Sequence, residues 1–253
     1  MKTHGFLFKG SMIRAFLRPR DPKTQTRRVI TAANSLVDGA GMSKARWDEM
    51  HFDFSRAVVD QGPSPAGNPG PYLRVPARNE RLNGNEETWH RIYPRIDVGD
   101  VIYAKETWSA DVPIIRYRAD SSRLEIEKTS EHYSTLLHLF DSQKGEWRSA
   151  MFMPQWAARI RRKVVAIRPE PLLAISAEDA KAEGLTALSK DGTLTKYGIP
   201  DRDGLPGNDD DGWPWAEWRT DPVAAYFHLW DKINGPGAAM DNPRVWVYTL
   251  GAE

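Results

Sequence analysis

The sequence predicts an α+β fold built around a small β-barrel, with flanking helices and long loop insertions. Three observations lead to this fold class: segments of strand composition are mixed with a few helices, strands and helices do not alternate as βαβ units, and the sequence contains no internal repeat. With 253 residues, of which 40% are hydrophobic, the chain can bury a sizeable core. We predict a single domain over residues 1–253, with insertions at about 32–92, 110–146 and 188–220.

The first predicted elements are a short helix and a strand. Ser11 is a suitable cap for a helix over residues 12–17, which proline residues then end. Residues 24–30 follow as a strand entered from a turn. Periodicity fades over residues 32–92, and the proline- and glycine-rich stretch 61–71 has the composition of a loop.

Two further strands are predicted in the middle of the chain. Residues 101–105 follow a Gly-Asp turn and have strand composition. Residues 158–167 alternate between an apolar face and a basic face. The apolar face carries Ala158, Ile160, Val164 and Ala166, with Arg162 as the exception, and the basic face carries Arg159, Arg161 and Lys163.

The C-terminal part contains two predicted helices and a last strand. Ser176 is expected to cap a helix over residues 177–183, which Gly184 closes. Asp221 and Pro222 open the second helix, and residues 245–250 form the strand. We expect this strand and those at 24–30, 101–105 and 158–167 to belong to one barrel. The apolar stripe of the second helix comprises Val223, Tyr226, Phe227, Trp230 and Ile233.

Charge and cysteine content restrict the classes of function. The chain has 35 lysine and arginine residues against 34 acidic ones, so any contact with nucleic acid must be local. No cysteine is present, which excludes disulfides, thiolate nucleophiles and cysteine-ligated metal sites. Residues 1–10 lack the pattern of a signal peptide, and no apolar run approaches a membrane span. We therefore expect a cytoplasmic protein that has no membrane partner.

Tryptophan is unusually frequent, with ten residues. Aromatic side chains at this density are either core residues or platforms on which bases stack, and the core interpretation is the more common one. Trp108 and Trp156 are our candidates for base stacking.

Metal and cofactor sites are not predicted. The six histidines do not have the spacing of metal ligands. The acidic run 209–211 lies in a Gly- and Pro-rich segment and is interpreted as a solubilising turn rather than a cation site.

Three segments, in this order, resemble the ASCH family of the PUA-like superfamily. They are residues 22–28 (PKTQTRR), 98–102 (VGDVI) and 175–185 (ISAEDAKAEGL). Segments at 147–160, 229–235 and 242–247 are similar to those of ASCH proteins carried by phages and prophages. The resemblance implies a PUA-like β-barrel with a cleft that accepts RNA, DNA or a nucleoside.

One branch of this family consists of small amidohydrolases that remove the acetyl group from N4-acetylcytidine, and the carry-over places its catalytic residues on Lys23, Thr26 and Glu183. This set is chemically sufficient, because Thr26 or a water molecule can attack, Lys23 can act as base and Glu183 can carry the proton to the leaving amine. In a regular strand, residues 23 and 26 would point to opposite faces, so Lys23 must still belong to the turn. The alternative interpretation makes Lys23 a phosphate contact, Thr26 a half-buried strand residue and Glu183 a solvated carboxylate.

Other functions remain open at the level of the sequence. A second enzymatic hypothesis is a nuclease of the ASCH type. A third hypothesis is a non-catalytic phage accessory protein that binds a host protein. The stretch 63–71 is the only hint of such a protein partner. The candidates for phosphate contacts, which a merely solvated face also explains, are Arg27, Arg28, Lys105, Arg159, Arg161 and Lys163.

Overall fold

A computed structural model describes residues 1–78, 86–208 and 211–251, and these form a mixed α+β structure in which strands predominate. The predicted fold class is confirmed at this level. The strands are β1 (Thr3–Leu7), β2 (Gln25–Val29), β3 (Ser35–Val37), β4 (Val58–Pro63), β5 (Pro69–Arg78), β6 (Glu87–Pro94), β7 (Val101–Lys105), β8 (Trp108–Asp111), β9 (Ile114–Tyr117), β10 (Arg123–Glu125), β11 (Arg161–Pro171), β12 (Thr186–Ser189), β13 (Thr195–Gly198) and β14 (Arg244–Gly251). The helices are α1 (Gly10–Leu17), α2 (Lys44–Glu49), α3 (Tyr133–Asp141), α4 (Ala177–Ala182) and α5 (Pro222–Asn234).

The central sheet contains all four strands that the sequence predicted to pair. Its order is β1-β7-β11-β14-β2, with β1 parallel to β7 and the other neighbours antiparallel. The predicted closed barrel is wrong for the described residues, because β1 and β2 remain the two edges of an open sheet. The Arg28 side chain nevertheless links these edges by donating to the Leu7 carbonyl at 2.9 Å. The sheet therefore curves without closing. The Arg28 side chain contacts β1 where a closed barrel would have backbone hydrogen bonds between β1 and β2.

A β-bulge in β11 explains why one predicted face is only partly correct. Ile160 and Val164 are buried as expected, but the register against β14 shifts between Val164 and Ala166. An extra residue in one strand reverses the direction of every later side chain. Ile167 is consequently buried and Ala166 is exposed, the opposite of the predicted alternation.

The two faces of the central sheet pack against different cores. Trp246 and Tyr248 point into a cluster that also contains residues of α1, β5 and β7. Val245 and Val247 point to the other side, where they pack on α4 and α5. This alternation on β14 is the period-two pattern of a strand that is buried on both faces. Four tryptophans, Trp213, Trp218, Trp230 and Trp246, lie in these two cores.

Helices α4 and α5 begin and end largely as predicted. The Ser176 hydroxyl accepts from the Asp179 N–H at 3.1 Å, and Asp221 caps α5 in the same way through Val223. Helix α1 differs, because Ser11 lies inside it and donates its backbone N–H to Asp211. A distant carboxylate thus takes the capping role that we assigned to Ser11.

The apolar stripe of α5 also needs one correction. Tyr226 and Trp230 are buried, together with Ala225 and Leu229, but Ile233 is 45% exposed. Ile233 lies on the last turn, beyond the point where the helix packs on the sheet.

The predicted insertions carry regular structure. The segment that we interpreted as the first insertion forms most of a four-stranded sheet, β3-β6-β5-β4. The loop predicted over 61–71 is therefore confirmed only for residues 64–68 and is wrong for 61–63 and 69–71, which are strand residues. Strands β4 and β5 pair as a hairpin through Gly62↔Gly70 and Pro63↔Pro69. The prolines are tolerated because this part of β5 pairs only with the edge strand β4, and the ladder to β6 begins at Leu73.

Two smaller units complete the described chain. Strands β8, β9 and β10 form a sheet against α3 with a separate small core, and β12 and β13 form a hairpin. Within residues 1–78, 86–208 and 211–251, no helix combines the length and the apolar character that crossing a membrane requires.

Candidate functional site

A cavity of about 140 Å³ lies at the free edge of β2. Its floor is formed by buried polar residues, and its mouth by exposed ones such as Leu7 and Ile233. A cavity of about 150 Å³ is sufficient for one benzene molecule, so this space fits a single six-membered ring. The lining residues are Leu7, Phe8, Lys9, Met12, Lys23, Thr26, Arg27, Arg28, Val29, Glu183, Tyr226, Leu229, Trp230, Ile233 and Asn234.

Lys23 lies before β2 rather than in it. Its backbone N–H donates to the Ala15 carbonyl at 2.9 Å, which holds the residue against α1. The condition that residue 23 must not follow the strand alternation is therefore met. Its Nζ donates to the Glu183 Oε2 atom and to the Glu183 carbonyl, each at 2.6 Å.

Burial changes the protonation of Lys23. The side chain is only 2% exposed, and this desolvation lowers the pKa of the Lys23 amine below its ordinary value, although the neighbouring Glu183 carboxylate opposes the shift. A lysine in such a position is nearer to its neutral, basic form than a solvated lysine.

Glu183 is the carboxylate that connects Lys23 to a second cation. Its Oε1 atom accepts from Arg27 Nη1 at 3.0 Å, while Oε2 binds Lys23. Arg27 also contacts Glu170 at 2.8 Å and Asp179 at 2.9 Å, and its side chain is fully buried. Burial lowers the pKa of Arg27, but the carboxylates outweigh it and raise the pKa overall.

This arrangement corrects the role that the sequence suggested for Arg27. The guanidinium is surrounded by carboxylates and has no access to a phosphate, so Arg27 positions Glu183 instead. With Arg168, which contacts Glu170 and Asp179, the network contains three cations and three carboxylates. Such balanced pairing is what allows buried charges to persist.

Thr26 faces the other side of β2 from Arg27. Its side chain is 3% exposed, and its hydroxyl forms no hydrogen bond with any residue that the structure describes. Thr26 is paired with Tyr248 on β14, whose hydroxyl is also buried without a described partner. The cavity is thus lined by the Thr26 hydroxyl, with which no described protein group forms a hydrogen bond.

Arg28 shares the face of Thr26 and lies between two aromatic rings. Its guanidinium carbon is 4.8 Å from the centroid of Phe6 and 5.0 Å from that of Phe8. Burial lowers the pKa of Arg28, and its Nε is buried without a hydrogen-bond partner among the described residues. An unpaired buried donor of this kind is uncommon and calls for a partner such as a ligand or a water molecule.

The other basic candidates lie away from this cavity. Arg159 contacts Glu106 at 2.8 Å and Asp120 at 2.7 Å, so the structure makes it part of an ion-pair cluster rather than a free phosphate contact. Lys105 donates to the Met151 carbonyl at 2.6 Å, and Arg161 to the Gln155 carbonyl at 3.0 Å. Lys163 is exposed.

The two tryptophans proposed for base stacking differ. Trp108 has no exposed surface and packs inside the small core beside α3, so the stacking role is wrong for it in this structure. Trp156 is half-buried, and His132 already covers one ring face at a centroid distance of 4.6 Å. Neither residue lines the cavity.

The sequence did not identify several residues that shape the site. Tyr226, Leu229 and Trp230 form one wall, and the signal available was their position on one stripe of α5. Phe6 and Phe8 contact Arg28 from the start of the chain, and no local sequence pattern connects them with it.

No group of three or more potential metal ligands occurs among the residues that the structure describes. Asp211 binds the Ser11 backbone and the Arg14 side chain, and Asp209 and Asp210 lie outside the described residues.

Comparisons of the chain with protein-family models, with curated proteins and with solved structures gave no match.

Proposed function

We propose that the cavity binds the base of a modified cytidine and that the protein hydrolyses the N4-acyl amide of that base. The observation that carries the proposal is the convergence of Lys23, Thr26 and Glu183, from two segments about 160 residues apart, on one ring-sized cavity. The same proposal assigns the chain to the ASCH family and gives it a PUA-like relationship. It is supported by the order of the three resembling segments, which supply the edge strand, the turn before β7 and helix α4.

The shape and polarity of the cavity suit a pyrimidine. Apolar side chains such as Phe8, Leu229 and Trp230 offer surfaces for a flat ring. Most of the polar lining groups lie on the other side, on the β2 segment and at the end of α4, while Lys9 and Asn234 are exposed. The ribose of a nucleoside would lie at the exposed mouth. A polynucleotide would reach the cavity only with its base turned out of the stack.

The reaction follows from the available protons. With Lys23 in its neutral form, the amine accepts the Thr26 hydroxyl proton as Oγ1 adds to the acyl carbonyl carbon. Glu183 receives this proton through its 2.6 Å hydrogen bond with Lys23 and delivers it to N4 as the C–N bond breaks. Water then repeats the addition on the acylated threonine, which releases the carboxylic acid and restores the hydroxyl. The balance is one amide and one water giving one acid and one amine.

The positive charge of Arg28 can stabilise the negative charge that develops on the acyl oxygen during the reaction. The unpartnered Nε is a donor for the oxygen that becomes negative in the tetrahedral intermediate. Because the guanidinium is held between Phe6 and Phe8 before substrate arrives, little reorganisation accompanies this interaction.

The test is incubation with N4-acetylcytidine, with cytidine and acetate measured by chromatography. We expect equal amounts of both products from the wild type. Thr26→Val, which keeps the shape but removes the hydroxyl, should abolish release, whereas Thr26→Ser should retain part of it. Binding of the nucleoside without any release of cytidine would contradict the hydrolase and leave a binding protein.

A further inference from the structure

A second and larger concave surface lies beside the two segments that carry Lys23 and Glu183. We call it the back groove; it has a volume of about 570 Å³ and is lined by Arg18, Arg20, Asp21, Pro22, Thr24, Lys181, Ala182, Leu185, Thr186, Ala187 and Tyr197. Its volume falls in the usual range for small-ligand sites, roughly 300–1,000 Å³. It is distinct from the ring-sized cavity, with which it shares no lining residue.

The two concavities are separated by a thin wall made of two chain segments. Pro22 and Thr24, which flank Lys23, line the back groove, and so do Lys181 and Ala182, which precede Glu183. The Thr24 N–H donates to the Ala182 carbonyl at 2.9 Å and joins the segments. A ligand in the groove would therefore rest against the backbone that carries both residues.

The charge of the back groove is positive. Three cationic side chains line it against one carboxylate, that of Asp21. Arg20 and Lys181 are exposed and form no ion pair with any residue in the described ranges. Among the described residues, Arg18 donates only to the backbone carbonyls of Gly184 and Leu185, so none of their carboxylates neutralises its charge by direct contact.

A buried polar atom at the groove lacks a partner. The Thr186 hydroxyl is inaccessible to solvent, and no described residue forms a hydrogen bond with it. Unpaired buried hydroxyls are uncommon in folded proteins, and each calls for a ligand, a water molecule or another explanation. Here the hydroxyl belongs to a residue that lines a basic groove.

We propose that the back groove binds phosphate groups, carried either by a free nucleotide or by an oligonucleotide strand. A phosphate offers up to two negative charges and several acceptor oxygens, which match the exposed cations Arg20 and Lys181, the positive charge of Arg18 and the Thr186 hydroxyl. Binding here does not depend on hydrolysis in the ring-sized cavity, since no catalytic side chain lines the groove.

Calorimetric titration with sodium pyrophosphate, cytidine monophosphate and a single-stranded RNA hexamer tests this site. All three should bind the wild type, and Arg20→Ala and Lys181→Ala should each weaken binding by about tenfold, as expected for a lost charge-assisted hydrogen bond. The matched controls Arg46→Ala and Lys128→Ala remove the same charges from exposed positions outside the groove, and should change affinity by less than about twofold.

Thr186→Val separates recognition from structural support. Replacing an unsatisfied buried hydroxyl by a methyl group should leave the free energy of unfolding unchanged or slightly higher. If the hydroxyl contacts phosphate, the affinity for pyrophosphate falls even so.

The outcomes also identify the source of the phosphate. Equal affinity for cytidine monophosphate and the hexamer points to a nucleotide, whereas tighter hexamer binding with a steeper salt dependence points to a strand. Absence of binding to all three probes, or equal losses in groove variants and controls, would overturn the proposal. Cytidine release from N4-acetylcytidine is measured separately, so that failure of one proposal does not obscure the other.

Discussion

Lys23 lies in an environment that differs strongly from water. It is 2% exposed, and desolvation lowers its pKa despite the adjacent Glu183. A lysine whose pKa is lower in the folded state than in the unfolded state destabilises the fold at pH values at which the amine must be protonated. The stability contributed by Lys23 is therefore present above its unfolded pKa and is lost as the pH falls through its folded pKa.

This gives a prediction for stability. The free energy of unfolding should rise with pH between the lowered pKa of Lys23 and its ordinary value of 10.5, because the unfolded chain binds the extra proton in that window. Urea denaturation at a series of alkaline pH values measures it. In Lys23→Met this contribution should disappear and the pH dependence should flatten. Identical slopes for the wild type and this variant would show that Lys23 has an ordinary pKa.

The sequence identified these site residues only through the family resemblance. Alternation within a strand placed Lys23 and Thr26 on opposite faces, and the contradiction disappears because Lys23 lies in the turn before β2. Arg27 and Arg28 illustrate what sequence could not show. They are neighbours with the same side chain, yet one meets three carboxylates and the other lies between two phenylalanine rings. Their partners come from segments distant in the chain.

At the scale of elements, strand β2 and helix α4 are held together by Arg27. Removing this cation would leave Glu170, Asp179 and Glu183 facing each other with one partner fewer. We predict that Arg27→Met destabilises the protein by about 3–5 kcal/mol, the usual effect of leaving buried charges unpaired. Arg46→Met is the exposed control, and denaturant unfolding is the measurement. A loss below about 1 kcal/mol would mean that water replaces the guanidinium.

The end of α4 depends on a glycine. Gly184 has φ of +106°, and a Cβ atom there would lie 2.9 Å from the Ala15 Cβ atom, beside Lys23. Gly184→Ala should therefore cost about 1–3 kcal/mol and displace the Lys23 segment.

Gly192→Ala is its control, because φ is also positive (+78°) but nothing lies within 4 Å of the added atom. A larger loss of thermal stability at 184 than at 192 isolates the packing contribution. Equal losses would attribute the whole effect to backbone strain.

Sequence patterns predicted these elements where the signals are local. The cap residues Ser176 and Asp221 and the closing Gly184 were placed correctly, because each acts on groups two or three residues away. The bulge at Val164 and the strands around Pro63 were not predicted. A bulge is fixed by the partner strand, and prolines enter a strand when pairing on one side is absent, neither of which composition records.

For the whole molecule, the sequence predicted which strands share a sheet but not how that sheet ends. Strand β1 was not predicted, and closing the sheet into a barrel would require a ladder between β1 and β2. The structure places Arg28, Phe6 and Phe8 between those edges instead. The ring-sized cavity lies beside this gap between the two sheet edges, since Leu7, Phe8 and residues of β2 line it. The segments interpreted as insertions were underestimated for a related reason, since their strands pair mainly with each other and carry many turn residues.

The initial rate of cytidine release from N4-acetylcytidine, compared between the wild type, Lys23→Met and Lys128→Met, is the most direct test of the proposed chemistry. Lys128 is an exposed lysine away from the cavity, so its variant controls for loss of one charge. We expect Lys128→Met to match the wild type and Lys23→Met to be slower by about 10²–10⁴-fold, the usual contribution of a positioned base. Equal rates in all three proteins, or no release by the wild type, would contradict the assignment of Lys23, Thr26 and Glu183 as a hydrolytic site.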